Sequence, residues 1–228
     1  MPKKSVYALQ EALITQLNHM DYANVVIKDE VTMQANLKRQ LEIHNNDITF
    51  SQTEYALILN HLNTNDRFER AKNLHSKFAL KRDNGEIAYI SFLNSDDWSL
   101  NAFQVSKTVS KQDGGKHHYE STLIINGLPL VQIELKGHEV KLKKLFFQVN
   151  RFEHSIYDAA FGLFQYVQLF VISNRLNTKY FINTQHQSFQ STFYWTGENN
   201  KRLWNTHDFC SEFLKQCNLI KIITSFDR

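Results

Sequence analysis

Glycine, proline and cysteine are all scarce here: seven, two and two in 228 residues. So few glycines and prolines leave little room for flexible linkers, and the length suits one large domain or two small ones. The two cysteines, Cys210 and Cys217, stand seven apart in a helix-like stretch. No C-x-x-C pair exists to hold a metal, so free thiols in a reducing compartment are the reading. The start, MPKKSVYALQ, lacks the apolar centre of a signal peptide. The longest apolar patch, about 161–172, is interrupted by Gln165 and Gln168 and falls short of a membrane span. A cytoplasmic protein is expected. No G-x-x-x-x-G-K-[ST] string occurs; GGKHH lacks both the spacing and the hydroxyl, so ATP is not expected to bind this chain. Charge of one sign is also in short supply, at 26 − 23 = +3, which permits nucleic-acid binding without arguing for it. The ten histidines are scattered. His117-His118 precedes Glu120 without a matching ligand pair, which argues against a transition-metal site. Repeats and low-complexity segments are absent.

What is present reads as α/β. Leu9, Leu13, Ile14 and Leu17 fall at helical spacing over 6–18, and Leu37, Leu41 and Ile43 over 30–43. Ser51 precedes Glu54 as in a capping box, ahead of Tyr55, Ile58 and Leu62. After about residue 76 the texture changes. Apolar groups flank Asp83-Asn84-Gly85, a hairpin signal, and NAFQVSKTVS alternates like a strand. KQDGGKHH reads as a loop, and YESTLIINGLPLVQIELKG as strand, turn, strand. The pattern predicts a helix over 145–167, strands at QLFVISN and KYFINT, and a helix over 208–220. The expected architecture is a mixed central sheet flanked by helices in a single domain, 1–228. Its parts would be a helical region (1–65), a sheet-and-helix region (76–190) and a C-terminal part (191–228).

Charged residues inside the second hairpin raise a chemical question. If the chain reverses over Asn126 to Pro129, Ile125 faces roughly Leu130, and Glu120 lies near Glu134 or Leu135. A bulge, or a slip of one residue, would set Glu120 directly across from Glu134, with Cβ atoms about 4.5–5.5 Å apart. Glu134 and Lys136, two apart, point to one face. Adjacent carboxylates repel unless neutralised, and Mg²⁺ does this well because it prefers oxygen ligands and keeps several waters. A lysine beside it could orient a water for attack on a phosphodiester. Spacing alone also allows the plainer reading of a solvated Glu–Lys pair. If both side chains line an open cleft, neither is needed for the fold. Lys141, Lys143, Lys144 and Arg151 follow and could face phosphates, or be solvated lysines before a helix.

The longer string INGLPLVQIELKG resembles the N-terminal endonuclease domain of the R (motor and restriction) subunit of type I restriction-modification enzymes, within the PD-(D/E)xK nucleases. FFQVNRF (146–152), QLFVISN (168–174), YFINT (180–184) and the later FYWTGENN extend the likeness, which covers most of 50–225. The resemblance implies a restriction-endonuclease-like fold with Glu134 as the motif carboxylate and Lys136 as the motif lysine. It further implies the Leu135 carbonyl as a metal ligand beside Glu120 and Glu134, Gln148 as the helix-motif glutamine, and Mg²⁺ as cofactor. Glu120 stands where the family has Asp, and Phe152 where it has Tyr; Asp113 lies seven residues too early to substitute. Glu11 is a candidate for an acidic residue that related nucleases hold near the metal, with an exposed helix carboxylate as the alternative. Implied partners are DNA, cut without a sequence preference of this domain's own, and the modification and specificity subunits. An ATP-driven motor would begin about where LIKIITSFDR ends, so an isolated nuclease domain, a fragment of a longer protein, is expected. A catalytically weak docking or coupling domain of the same fold is the second expectation.

Overall fold

The computed structural model describes residues 5–64, 66–111, 117–158, 162–184, 186–197 and 200–225, with the backbone alone at 108–111, 117–119 and 151–158. The chain opens with α1 (Val6–Asn18), β1 (Ala23–Asn24), α2 (Glu30–His44), α3 (Gln52–Leu62) and α4 (Arg67–His75). Each of the four helices has a side-chain N-cap that satisfies an otherwise orphaned amide. Ser5 accepts from Ala8 N, while Asp29–Thr32 and Ser51–Glu54 form complete capping boxes, the second as its sequence predicts. No apolar pattern announces α4, because its buried residues are Arg70, Asn73 and Leu74. Two of the three are polar, and Arg70 is held by the Thr64 carbonyl (2.7 Å) and Gln165 Oε1 (3.2 Å).

Strands β2 (Phe78–Lys81) and β3 (Ile87–Ile90) form the predicted hairpin, with Gly85 at φ +89° in its turn. They are followed by β4 (Phe103–Lys111), β5 (His117–Ile125), β6 (Leu128–Leu135) and α5 (Leu142–Asp158). Next come β7 (Leu169–Ser173), β8 (Thr178–Ile182), β9 (Trp195–Thr196), β10 (Arg202–Leu203), α6 (Thr206–Phe213) and α7 (Gln216–Thr224). Six strands make one sheet in the order β1-β4-β5-β6-β7-β8. The β1–β4 and β6–β7 pairs are parallel and the rest antiparallel. This is the mixed sheet flanked by helices that a restriction-endonuclease-like fold requires. Among the described residues no helix is long and apolar enough to cross a membrane.

Two helices differ from expectation. Instead of running over 145–167, the helix occupies 142–158, and Leu163–Tyr166 forms a separate 3-10 turn after Gly162. Glycine is a poor helix residue, and the turn buries Leu163 and Tyr166. The tail is two helices rather than one. Lys215 leaves helical geometry (ψ 131°), so that Phe209 and Phe213 pack in one direction and Leu219, Ile220 and Ile223 are buried from a second helix. KQDGGKHH, with Asp113, lies largely outside the described residues.

The two sheet faces are covered differently. On one, α1 packs through Leu13, Ile14 and Leu17 over β4, β5 and β6, within a large apolar core that includes Ile133, Leu135 and Val171. On the other, α5 lays Leu142, Leu145, Phe146 and Val149 over Phe170, Ile172 and Phe181 of β7 and β8. That i, i+3, i+4, i+7 stripe makes α5 amphipathic and leaves the β5–β6 part of the same face to polar residues.

Candidate active site

The site begins at a two-residue turn. Asn126 (φ 49°) and Gly127 (φ 85°) both lie in the left-handed region, as a primed hairpin turn demands. Ile125 therefore pairs with Leu128, and Pro129 sits inside β6 opposite Ile124. The four-residue reversal expected from the sequence, with Ile125 facing Leu130, is corrected: Asn-Gly alone closes the hairpin. Asn126 is fully buried and bonded on every side. Its Nδ2 donates to the Phe92 carbonyl (3.0 Å) and Asn101 Oδ1 (2.8 Å), and its Oδ1 accepts from Ala102 N (2.8 Å). Gly127 meets α2 so closely that an added Cβ would stand 2.5 Å from Leu37 Cα. The turn is thus clamped from both sides.

A tight turn alone would pair Glu120 with Ile133. It does not, because the register shifts between Leu123 and Ile124, leaving Leu130 as an extra residue in β6. Beyond this bulge Glu120 pairs directly with Glu134. Residues opposite one another share a face, so one row runs Glu120, Glu134, Ile172, Lys179 across four strands. Lys136, two beyond Glu134, joins that face, and its Nζ lies 2.5 Å from Glu134 Oε1. Its own amide donates to the Ser173 carbonyl (2.9 Å), which fixes the strand end to β7.

The condition of an open cleft is not met. Glu120 is 8% exposed and Glu134 3%, and the Lys136 side chain 13%. Burying two facing carboxylates strengthens their repulsion, and Lys136 balances one of the two charges. Gln132, two before Glu134, supplies a link that the sequence reading missed. Its Nε2 donates to Glu120 Oε2 (3.2 Å) while its Oε1 accepts from Thr122 (2.8 Å). From the opposite side Gln10 of α1 donates to the Glu120 carbonyl (2.7 Å). Both were legible only as polar residues inside apolar patterns, a signal that needs the register to be read.

The remaining predicted residues are distributed as follows. Leu135 faces the large core, with its carbonyl in the strand between Glu134 and Lys136. Gln148 lies on α5 beside the apolar stripe, its Oε1 enclosed and, among the described residues, accepting no hydrogen bond. Lys141, Lys143 and Lys144 are exposed at the start of α5. The side chains of Arg151, Phe152, His117 and His118 lie outside the described residues. Glu11 does not join the pair. It is bound to Lys107 (2.8 Å), which pairs with Ser121 and so projects from the opposite face.

The donor set fits a hard divalent cation. Two facing carboxylates and a strand carbonyl are all oxygen donors. Among the described residues no group of three or more His, Cys, Asp or Glu gathers, so such an ion would keep several waters, as Mg²⁺ prefers.

Residues 8–189 match the family described as the type I restriction enzyme R protein N terminus. The type I restriction enzyme SauMSSORF170P endonuclease subunit of Staphylococcus aureus (strain MSSA476) is 35% identical over 233 residues, covering 99% of this chain. The SsaAORF53P endonuclease subunit of Staphylococcus saprophyticus is 36% identical over 231 residues, again 99% of this chain. The chain spans 24% of the length of these staphylococcal relatives. The EcoprrI endonuclease subunit of Escherichia coli is 30% identical over 227 residues, or 96% of this chain and 72% of that protein. With the hairpin, the register and these matches together, the chain belongs to the family of type I restriction enzyme R protein N-terminal domains.

Proposed function

We propose that this chain is the Mg²⁺-dependent endonuclease domain of a type I restriction enzyme, of the PD-(D/E)xK kind. It would hydrolyse DNA phosphodiesters without sequence preference of its own. The observation that carries the reading is the in-register pair Glu120–Glu134 with Lys136 Nζ 2.5 Å from Glu134. Glu120, Glu134 and the Leu135 carbonyl would hold the ion, which when bound supplies charge neutralisation at the phosphate and a more acidic water. Gln132 fixes Glu120 against its neighbour, so the two carboxylates need not reorganise as charge develops. Lys136 donates hydrogen bonds that orient the attacking water and offset charge on the phosphate. Gln148 would hold that water or a ligand oxygen from the α5 side.

Lys141, Lys143 and Lys144 support a DNA substrate. No acidic residue stands in the first turn of α5, where the helix dipole disfavours cations. Lysines there weaken the helix slightly but suit a phosphate, which both the amines and the helix N-terminus attract. Delivery of DNA by an ATP-driven motor, and assembly with modification and specificity subunits, belong to the same proposal. ATP would serve the whole enzyme and not this domain.

The second reading, a docking or coupling domain with weak catalysis, draws on Glu120 standing where the family has Asp. A Mg²⁺ titration of the purified chain by calorimetry separates the two. Binding that disappears in Glu134→Gln supports the nuclease, and an isotherm equally flat in both proteins favours the docking domain.

A further inference from the structure

The row that carries Glu120 and Glu134 continues across the sheet to Lys179, about 10 Å from Glu134 at two strand spacings. Around Lys179 stands a group of rings and cations. Lys179 Nζ lies 4.7 Å from the centre of the Tyr194 ring and 4.9 Å from that of Phe189. The Arg202 guanidinium lies 4.8 Å from Tyr194 and 5.0 Å from Trp204. Tyr194 and Trp204 meet edge to face at 4.9 Å. Alternation places the group on the carboxylate side. Phe193 and Trp195 contact Tyr180, whose side chain points to the opposite face, whereas Tyr194 between them meets Lys179. Arg202 and Trp204, two apart, follow the same side. Helix α5 rises between this group and the acidic pair, through Phe146 against Phe181 and Phe189.

The two cations differ. Lys179 is half-buried and donates to the Thr192 carbonyl (3.1 Å) and Oγ1 (2.8 Å), so it serves the local structure. Burial, and then Arg202 nearby, hold its pKa below the ordinary lysine value. Arg202 is exposed and, among the described residues, forms no ion pair. A guanidinium held near two rings by cation–π attraction keeps N–H donors available for a further partner. Trp204 is 46% exposed, a large ring kept partly in water at an apolar cost. A fixed guanidinium beside an exposed indole matches one ligand chemistry well: a phosphate next to an unpaired base.

We infer that Arg202 and Trp204, backed by Tyr194, form a second DNA contact that holds an unpaired nucleotide beside the strand being cut. Arg202 takes its phosphate and Trp204 stacks its base. This rests on the DNA-cleaving reading of the acidic pair, and it adds where the substrate is locally single-stranded. An unpaired strand suits the site because α5, with Lys141 and Lys144 exposed at its start, stands as a ridge between the two positions.

The test is fluorescence anisotropy of labelled single-stranded and duplex oligodeoxynucleotides with this chain, alongside cleavage by the full-length enzyme. Trp204→Ala is expected to weaken single-strand binding about tenfold, with Trp204→Phe restoring most of it. Arg202→Ala is expected to weaken binding and to lower the slope of log affinity against log salt by about 0.7. Duplex binding changes less in both. Parental affinity and salt slope in both variants, with only a lower melting temperature, would make the group a structural staple and overturn the inference. So would a parental chain that binds no single strand. The nuclease reading fails separately. Glu134→Gln that still cuts overturns that reading, whereas Trp204→Ala that binds normally beside an inactive Glu134→Gln overturns only the second contact.

Discussion

Two acid–base pairs with buried carboxylates flank two Asn-Gly hairpins in this molecule, and their carboxylates face different surroundings. Glu54 and Arg82 join α3 to the β2–β3 hairpin at 2.6 Å. Glu134 and Lys136 stand beyond the β5–β6 hairpin at 2.5 Å. Both carboxylates are almost fully buried, at 2% and 3% exposure. Glu54, however, accepts from donors that ask for nothing more: Arg82 Nε, Ser51 N (3.0 Å) and Asp83 N (3.0 Å). Burial alone would raise its pKa, and these hydrogen bonds more than offset that, holding it below the ordinary range. Glu134 instead faces a second carboxylate. A fold gains nothing from facing acids, which repel, and under the proposed function the second arrangement serves chemistry. Distance and burial therefore do not separate a structural ion pair from a functional one; what the carboxylate faces does.

Breaking each pair should sharpen that contrast. On the proposed function, Glu134→Gln in the full-length enzyme is expected to lower plasmid cleavage by about 10³-fold or more, since a divalent ion there would lose a charged ligand. Its melting temperature should hold or rise as the repulsion with Glu120 disappears. The converse holds at the first pair. Glu54→Ala should cost about 2 kcal/mol, discounted for the partial exposure of Arg82, and lower the melting temperature by roughly 4–8 °C. Cleavage per folded molecule should stay unchanged. Gly127→Ala breaks the clamp under the functional pair. With φ +85° and Leu37 Cα in the way, it should cost more than about 2 kcal/mol in a thermal melt.

Smaller effects test the link at Glu120. Gln132→Ala is expected to reduce cleavage about tenfold with folding intact, because Glu120 loses the donor that orients it. Glu120→Asp should retain or raise cleavage, as the residue found in the family. The smallest effect is pH-dependent. The folded pKa of Glu54 lies below its unfolded value of about 4.3, so its contribution to stability is complete above that pH. It is lost as the pH falls through the folded value. Acid melts should show the parental protein losing stability more steeply than Glu54→Ala below about pH 4.

Much of the fold was legible where period and punctuation coincide. The Ser51–Glu54 box, the Asn-Gly turns and the apolar strands β6 and β7 announce themselves. Helix α4 did not, because Arg70 and Asn73 take core positions that periodicity assigns to apolar residues. The Glu120–Glu134 approach was readable within one residue of register. What could not be read was its cause, since the extra residue, Leu130, is apolar among apolar neighbours and its displacement leaves no mark in composition. Burial of the site was equally hidden. Glu-x-Lys looks the same on a solvated edge and in the sheet interior. From α1 alone Glu11 could be read as an acid near the metal or as a helix carboxylate, and its bond to Lys107 sets it apart from the pair.

The central claim is that Lys136 belongs to a catalytic group rather than to a second structural ion pair. Its direct test is plasmid cleavage by the full-length enzyme carrying Lys136→Ala, assembled with its partner subunits, ATP and Mg²⁺, with ATP hydrolysis as the folding control. Removing the ammonium leaves Glu134 and Glu120 less balanced and should cost about 3 kcal/mol, so the comparison is made well below the melting temperature. The account predicts that cleavage is abolished while DNA-stimulated ATP hydrolysis persists. Cleavage at the parental rate by a folded Lys136→Ala enzyme would contradict it.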